Sequence, residues 1–184
     1  MATASKLLTY EEWLQMPAPE YGRDEVVKGE YRLIMPAPHS PHPVIINELT
    51  FLFHASIDRT KVRVLSSWFG LVICKEPPTF CSPDIALYWK ERIVIEKGNF
   101  VSAPDLIVEV LSPSENRRRK EEKMEDYASI GTPEAWLVSP EAQTIEVRIL
   151  RNGKLERTGI AADGTLEPTR FPGVSIPVTE IWPD

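Results

Sequence analysis

The stretch from Ala103 to Ser114, Ala-Pro-Asp-Leu-Ile-Val-Glu-Val-Leu-Ser-Pro-Ser, constrains the fold more than any other part of the chain. Its apolar run at 106–111 lies between two prolines, which is typical of a strand buried on both faces of an α/β sheet. Glu109 interrupts this run, and because strand side chains alternate between faces, its carboxylate is expected inside the protein with Ile107 and Leu111. An unpaired buried carboxylate is costly, so the position predicts a bound cation, a lysine or water in a cleft.

The chain is long enough for one core and shows no internal repeat, so a single domain over residues 1–184 is predicted. Hydrophobic periodicity and turn signals indicate that this domain belongs to the α/β (α+β) class. Thr9 and Glu12 match a capping box, which predicts a short helix before Pro17. The remaining predicted elements are a strand or hairpin at 24–35, a helix at 41–58 with Ser40 as its N-cap, strands at 61–67, 68–74, 80–89 and 105–111, a helix at 115–130 that begins after Ser112-Pro-Ser114, strands at 134–139 and 144–150, and a hairpin around Arg151-Asn-Gly-Lys154. The tail is predicted to lie at a sheet edge or to wrap around the domain.

The overall charge gives no sign of a polyanionic partner. The net charge is -6 and the pI is near 5.2, which counts against nucleic acid unless a local basic patch suffices. The first nine residues lack the apolar core of a signal peptide, and no run reaches transmembrane length, so we expect a cytoplasmic location and no membrane partner. Cys74 and Cys81 are too few for a disulfide framework, and both are interpreted as buried thiols.

Two acidic residues on successive predicted strands form a candidate metal site. Asp84 stands at the start of one apolar strand and Glu109 lies within the next, so pairing of these strands brings both carboxylates to one end of the sheet. Two carboxylates can hold Mg²⁺, with the backbone carbonyl of Val110 as a further ligand and water in the remaining positions. A metal held in this way activates water and offsets charge during attack on a phosphodiester.

Lys123 is the candidate catalytic cation. On the predicted helix it shares an inward face with Met124 and Tyr127. It lies about 12 Å along the helix while Glu109 lies about 7 Å back along its strand, and a lysine side chain spans that mismatch. Its ammonium can orient a water or stabilise the charge that develops on a phosphate.

Structural interpretations of the same residues stay open at this point. Asp84 after a proline is also typical of a turn or cap, and Glu109 with Lys123 can form a purely structural ion pair. The basic run Arg117-Arg-Arg-Lys120 can follow a phosphate backbone, but a solvated helix face paired to acids at i+4 is the preferred interpretation.

The motifs together resemble a known family. Ser82-Pro-Asp84, the 103–114 stretch, Lys123-x-x-x-Tyr127, Gly131-x-Pro-Glu134 and Trp136-Leu-Val-x-Pro140 are similar to the Uma-type restriction endonuclease family of the PD-(D/E)XK nuclease superfamily, and Gly29-Glu30, His42 and Phe171-Pro-Gly173 extend the resemblance over nearly the whole chain. The resemblance implies a restriction-endonuclease-like core in which a central mixed β-sheet is flanked by helices and extra β-hairpins follow at the C-terminus.

The resemblance also implies which residues carry the chemistry. Asp84 and Glu109 would be the metal ligands. The superfamily usually places a lysine two residues after the second acid, where this chain has Leu111, and in such families the cation is thought to come from the following helix, where Lys123 is the match. The candidate accessory groups are Glu30 as a third acid, His42 and Tyr127, although the default interpretations are a surface carboxylate on a strand for Glu30 and a helix-cap histidine for His42.

The sequence therefore leaves three hypotheses. The first is a Mg²⁺- or Mn²⁺-dependent endonuclease of DNA, which by analogy is expected to act as a homodimer. The second is a degenerate nuclease-fold protein that binds nucleic acid or a protein partner without cleavage. The third is a structural protein in which Glu109 is merely paired with Lys123.

Overall fold

Two six-stranded sheets carry the fold of the computed structural model, which describes residues 7–35, 41–66, 69–112 and 117–183. The α-helices of these residues are α1 (Tyr10–Leu14), α2 (His42–Ser56) and α3 (Arg117–Ser129). The strands are β1 (Arg23–Val27), β2 (Glu30–Ile34), β3 (Val62–Ser66), β4 (Leu71–Lys75), β5 (Pro78–Cys81), β6 (Ile85–Trp89), β7 (Ile95–Glu96), β8 (Asn99–Phe100), β9 (Leu106–Val110), β10 (Glu134–Ser139), β11 (Thr144–Arg151), β12 (Lys154–Ala161), β13 (Thr165–Leu166) and β14 (Ile176–Pro177).

The first sheet, called the N-terminal sheet below, has the strand order β2-β1-β5-β4-β8-β7. Helix α1 packs on it through Tyr10 and Trp13, which join a core cluster with Val26, Val72 and Phe80. The predicted capping box is confirmed, since Thr9 and Glu12 each bond the other's backbone N–H.

The second sheet, called the central sheet below, has the order β12-β11-β10-β9-β6-β3. Strands β9 and β10 run parallel, whereas β6 and β9 run antiparallel. The side chains of β9 alternate between two cores, because Val108 joins the cluster of α2 and the C-terminal tail while Ile107 joins the cluster of α3. A central sheet with buried strands therefore has a helix on each face, as predicted.

The α+β class, the mixed sheet with flanking helices and the C-terminal hairpins are confirmed. Asn152 and Gly153, both with positive φ, form the tight turn between β11 and β12. The segment predicted as one strand at 80–89 is instead two strands in different sheets, because the chain passes Pro83 on its way from β5 to β6. Cys81 is buried as predicted, but Cys74 is exposed.

Some sequence predictions lie outside the described residues, namely the N-cap at Ser40 and the start of the second long helix at 113–116. The single domain over 1–184 stays a prediction. Among the described residues, no helix is both long enough and apolar enough to cross a bilayer.

Candidate functional site

The start of β6 and the end of β9 lie side by side at one end of the central sheet. Ile85 is opposite Val108 in the antiparallel pair, so the preceding residue, Asp84, arrives beside Glu109 and Val110. The backbone N–H of Val110 donates to Asp84 Oδ2 at 2.9 Å. Both carboxylates are 2% exposed. The structure thus brings together the two acids that the sequence selects as metal ligands.

Asp84 is held by two side chains as well as by the backbone. Arg23 Nη1 donates to its Oδ1 at 3.2 Å, and His42 Nε2 lies 3.1 Å from its Oδ2. Burial alone would raise the pKa of Asp84, but the His42 hydrogen bond and the charges of His42, Arg23 and Lys123 outweigh burial, so the pKa lies below its ordinary value. Asp84 is therefore an anion at neutral pH.

Glu109 is held from α3. Lys123 Nζ donates to its Oε2 at 2.8 Å, and the Tyr127 hydroxyl donates to its Oε1 in a short contact. Burial and the charge of Asp84 raise the pKa of Glu109 above its ordinary value, although Lys123 and Tyr127 act in the opposite direction. Burial also raises the pKa of Tyr127, which keeps the phenol protonated and able to donate.

A third buried acid in this cluster is one that the sequence analysis missed. Glu25 on β1 is 3% exposed, and Arg119 Nη2 on α3 donates to its Oε2 at 2.6 Å. Arg119 and Lys123 are one helical turn apart, so α3 covers Glu25 and Glu109 with successive cations of one face. The charges of both acids act on Arg23. The other oxygen of Glu25, Oε1, is buried without a hydrogen-bond partner among the described residues.

Of the predicted accessory groups, His42 and Tyr127 lie in the cluster and Glu30 does not. Glu30 is exposed on β2, and its carboxylate is 3.5 Å from Arg32 Nη2. Arg23 and Glu25 are at alternate positions of β1 and therefore share a face. This alternation of opposite charges on a short strand was the only sequence signal that could have pointed to Arg23 and Glu25 as site residues. It gives no indication that β1 lies near Asp84.

A model of the Uma2 family, described as "Putative restriction endonuclease", matches residues 10–179. The chain belongs to the Uma2 family. The fold is also that of a solved structure described as "a putative nuclease belonging to DUF820" from Anabaena variabilis, with a TM-score of 0.77 and 21% sequence identity over 95% of this chain and 97% of that one. Both descriptions name a nuclease, and none of the curated proteins matches the chain.

In this Uma2-family chain the basic run before Lys123 is paired with acids. Arg118 bonds Glu122 at i+4, as the structural interpretation expects, whereas Arg119 bonds Glu25 and Lys120 Nζ is 3.6 Å from Glu146 Oε2 on β11. The side chain of Arg117 lies outside the described part. The run therefore joins α3 to both sheets as well as presenting positive charge.

The donor chemistry of the Uma2-family cluster fits a hard cation. Within the described ranges no three His, Cys, Asp or Glu side chains converge on a point that could hold a metal ion. Mg²⁺, however, is commonly held by one or two carboxylates and retains several waters, which matches Asp84 and Glu109. The buried Oε1 of Glu25, which lacks a donor among the described residues, is consistent with a hydrated ion nearby. Val110 contacts Asp84 through its N–H, and its carbonyl as a ligand stays a prediction.

Proposed function

We propose that this Uma2-family chain is a metal-dependent endonuclease that hydrolyses phosphodiester bonds of DNA. The observation that carries the proposal is the pair of buried carboxylates at one end of the central sheet, with Asp84 just before β6, Glu109 on the adjacent strand β9, and Lys123 of α3 bound to Glu109. Two nearly inaccessible acids at one sheet end destabilise a fold unless they are compensated, and an acid pair with a lysine is suited to phosphoryl chemistry.

In this proposal Asp84, Glu109 and the Val110 carbonyl hold Mg²⁺ or Mn²⁺. When bound, the ion would polarise the scissile phosphate and lower the pKa of a water molecule. The opposite pKa directions of Asp84 and Glu109 suit separate roles, because Asp84 is a permanent anion whereas burial raises the pKa of Glu109 against the opposing effects of Lys123 and Tyr127.

The chain's own cations supply the rest of the chemistry. Lys123 stabilises charge on the phosphate when its ammonium turns from Glu109 toward the substrate, and Tyr127 fixes the orientation of the Glu109 carboxylate. Arg23 and His42 retain partly exposed side chains beside Asp84, which leaves each a side from which it can contact a DNA phosphate.

Charge balance predicts that metal and DNA bind together. Among the described residues, the acids Asp84, Glu109 and Glu25 are matched by the permanent cations Arg23, Lys123 and Arg119, so a divalent ion adds positive charge to groups whose charges already balance. Phosphates of a bound DNA offset that charge. We therefore expect DNA to strengthen metal binding.

The same balance favours a second candidate, a nuclease-fold protein that binds nucleic acid or a protein partner without cutting. Both acids of the central pair already have cations from the chain itself, so the cluster is stable without a metal. This candidate predicts DNA or protein binding that is unchanged by chelation of divalent ions.

Nicking of supercoiled plasmid in Mg²⁺ and in Mn²⁺ tests the proposal. We expect nicking by the wild type to be abolished by a chelator and to fall about 100-fold or more in Asp84→Asn, Glu109→Gln and Lys123→Met. The matched control is Glu156→Gln, an exposed acid on β12, which should nick as the wild type does. Equal nicking by all variants, or by a chelated sample, would refute the proposal.

A further inference from the structure

Strand β2 is an edge of the N-terminal sheet and carries an exposed apolar stripe. β2 lies first in the strand order, and within the described residues only β1 pairs with it. Tyr31, Leu33 and Met35 alternate along the strand and its end and are 40%, 47% and 59% exposed. Exposed strand edges with apolar side chains are prone to pair with another strand.

The exposed apolar side chains are concentrated in the N-terminal part of the sequence. Of the eleven large hydrophobic side chains that are exposed among the described residues, six precede residue 36, and they are Leu7, Met16, Tyr21, Tyr31, Leu33 and Met35. Three of them, Tyr31, Leu33 and Met35, adjoin along β2 and its end, and a contiguous exposed apolar patch is typical of a protein interaction surface rather than of scattered surface residues.

The backbone N–H and C=O groups of β2 that point to the open edge belong to residues of the same apolar stripe. Lys28 and Gly29 both have positive φ and join β1 to β2 as a two-residue turn, in which Val27 and Glu30 form the hydrogen-bonded closing pair. Hydrogen-bonded pairs alternate along an antiparallel ladder. The backbone groups of Tyr31 and Leu33 therefore point away from β1.

We propose that β2 pairs antiparallel with β2 of a second copy of this chain, about a two-fold axis at Leu33. In this register Leu33 faces its own copy and Tyr31 faces Met35, so the stripe is complementary to itself. A shift of the axis by one residue would place Arg32 opposite Arg32, and like charges directly opposite each other destabilise a sheet.

The pairing places both candidate sites on one side of a continuous sheet. Arg23 is opposite Ile34 in the β1–β2 ladder and shares its face, which is the face away from the apolar stripe. Because the two-fold axis is normal to the sheet, the two Arg23 residues lie on the same side of it. Three strand spacings across the sheet and two residue steps along the strand separate their Cα atoms by roughly 16 Å. Two sites on one side of the sheet could each act on one strand of the same DNA duplex, a consequence that rests on the proposed nuclease function.

Site-specific cross-linking tests the register. In a Cys74→Ser background, which removes the exposed native thiol while Cys81 stays buried, Leu33→Cys should form a disulfide-linked dimer on oxidation. Directly opposed residues with outward backbone groups have Cα atoms about 5.5 Å apart, which suits a disulfide. The control is Ile160→Cys, an exposed apolar site on β12 at the edge of the central sheet. Cross-linking of Leu33→Cys at the control level would overturn the proposal.

Light scattering after size exclusion gives an independent readout. The wild type and Ile160→Lys should have twice the chain mass, whereas Leu33→Lys should have the chain mass, bind Mn²⁺ normally and nick plasmid but linearise it less. A monomeric wild type, or a Leu33→Lys dimer, would overturn the pairing. A wild type that dimerises through Leu33 but neither binds Mn²⁺ nor nicks would instead refute the nuclease function and leave the dimer standing.

Discussion

Lys123 Nζ lies 2.8 Å from Glu109 Oε2, so a lysine on α3 reaches a buried carboxylate on β9 at one end of the central sheet. The position two residues after Glu109 is Leu111, so the strand itself supplies no cation there. Helix α3 brings a cation to the same acid from a different element. The Lys123–Glu109 pair therefore contributes both to the stability of the fold and to the proposed chemistry, and unfolding and metal binding measure these two contributions separately.

Removal of the lysine alone should destabilise the fold more than removal of the pair. Lys123→Met leaves Glu109 buried without its cation and should lower the free energy of unfolding by about 3 kcal/mol. The double variant Lys123→Met/Glu109→Gln should recover most of that loss, because no unpaired charge remains. Urea unfolding at neutral pH measures the cycle, and additive losses from the two substitutions would contradict the account.

Tyr127→Phe should weaken metal binding through Glu109. The Tyr127 hydroxyl donates to Glu109 and lowers its pKa, so its loss should raise that pKa further and shift the pH midpoint of Mn²⁺ binding upward. The lost hydrogen bond to a carboxylate should also cost about 2 kcal/mol of stability.

Tyr10→Phe is the matched control for that variant, since the buried Tyr10 hydroxyl has no hydrogen-bond partner among the described residues. Its pH midpoint should equal that of the wild type. Identical midpoints in all three proteins would mean that Tyr127 does not tune Glu109.

As the pH rises from about 4 to about 6, the contribution of Asp126 to the free energy of unfolding should decrease. Burial, with the charges of Glu122, Glu125 and Glu25, raises the pKa of Asp126 from 3.8 to about 6, although Lys28 acts in the opposite direction. The protonated form is favoured in the folded state, so the contribution of Asp126 is fully present below its unfolded pKa and is lost as the pH rises through about 6.

Asp126→Asn should therefore gain stability relative to the wild type as the pH rises over that window. Urea unfolding at a series of pH values measures the difference, with Asp163→Asn in an exposed turn as the control. A difference between Asp126→Asn and the wild type that does not vary with pH would show that Asp126 titrates normally.

Glu25→Gln should destabilise the fold and Glu30→Gln should not, because Glu25 is buried whereas Glu30, the sequence's candidate third acid, lies on the surface of its strand. Glu25→Gln removes the carboxylate that Arg119 contacts in a buried position and should lower the free energy of unfolding by about 2 kcal/mol. Glu30→Gln changes an exposed pair and should stay within about 0.5 kcal/mol of the wild type. Chemical denaturation checks both variants, and a larger loss in Glu30→Gln would contradict the placement of the third acid.

The sequence predicted the parts of the site that local periodicity controls. Glu109 was found because it breaks an apolar strand, and Lys123 because it shares a helix face with Met124. Arg23 and Glu25 were missed because their importance depends on where β1 lies relative to Asp84, which is a long-range relationship. The division into two sheets was missed for the same reason, since periodicity indicates strands but not which strands pair.

The most direct test of the central claim is calorimetric titration of Mn²⁺ into folded protein, with and without a short DNA duplex. The account predicts binding by the wild type and by Glu156→Gln, stronger when DNA is present, and loss of binding in Asp84→Asn and in Glu109→Gln. A folded wild type that binds no Mn²⁺ even with DNA, or a Glu109→Gln variant that binds as the wild type does, would contradict the claim that these two carboxylates form a metal site.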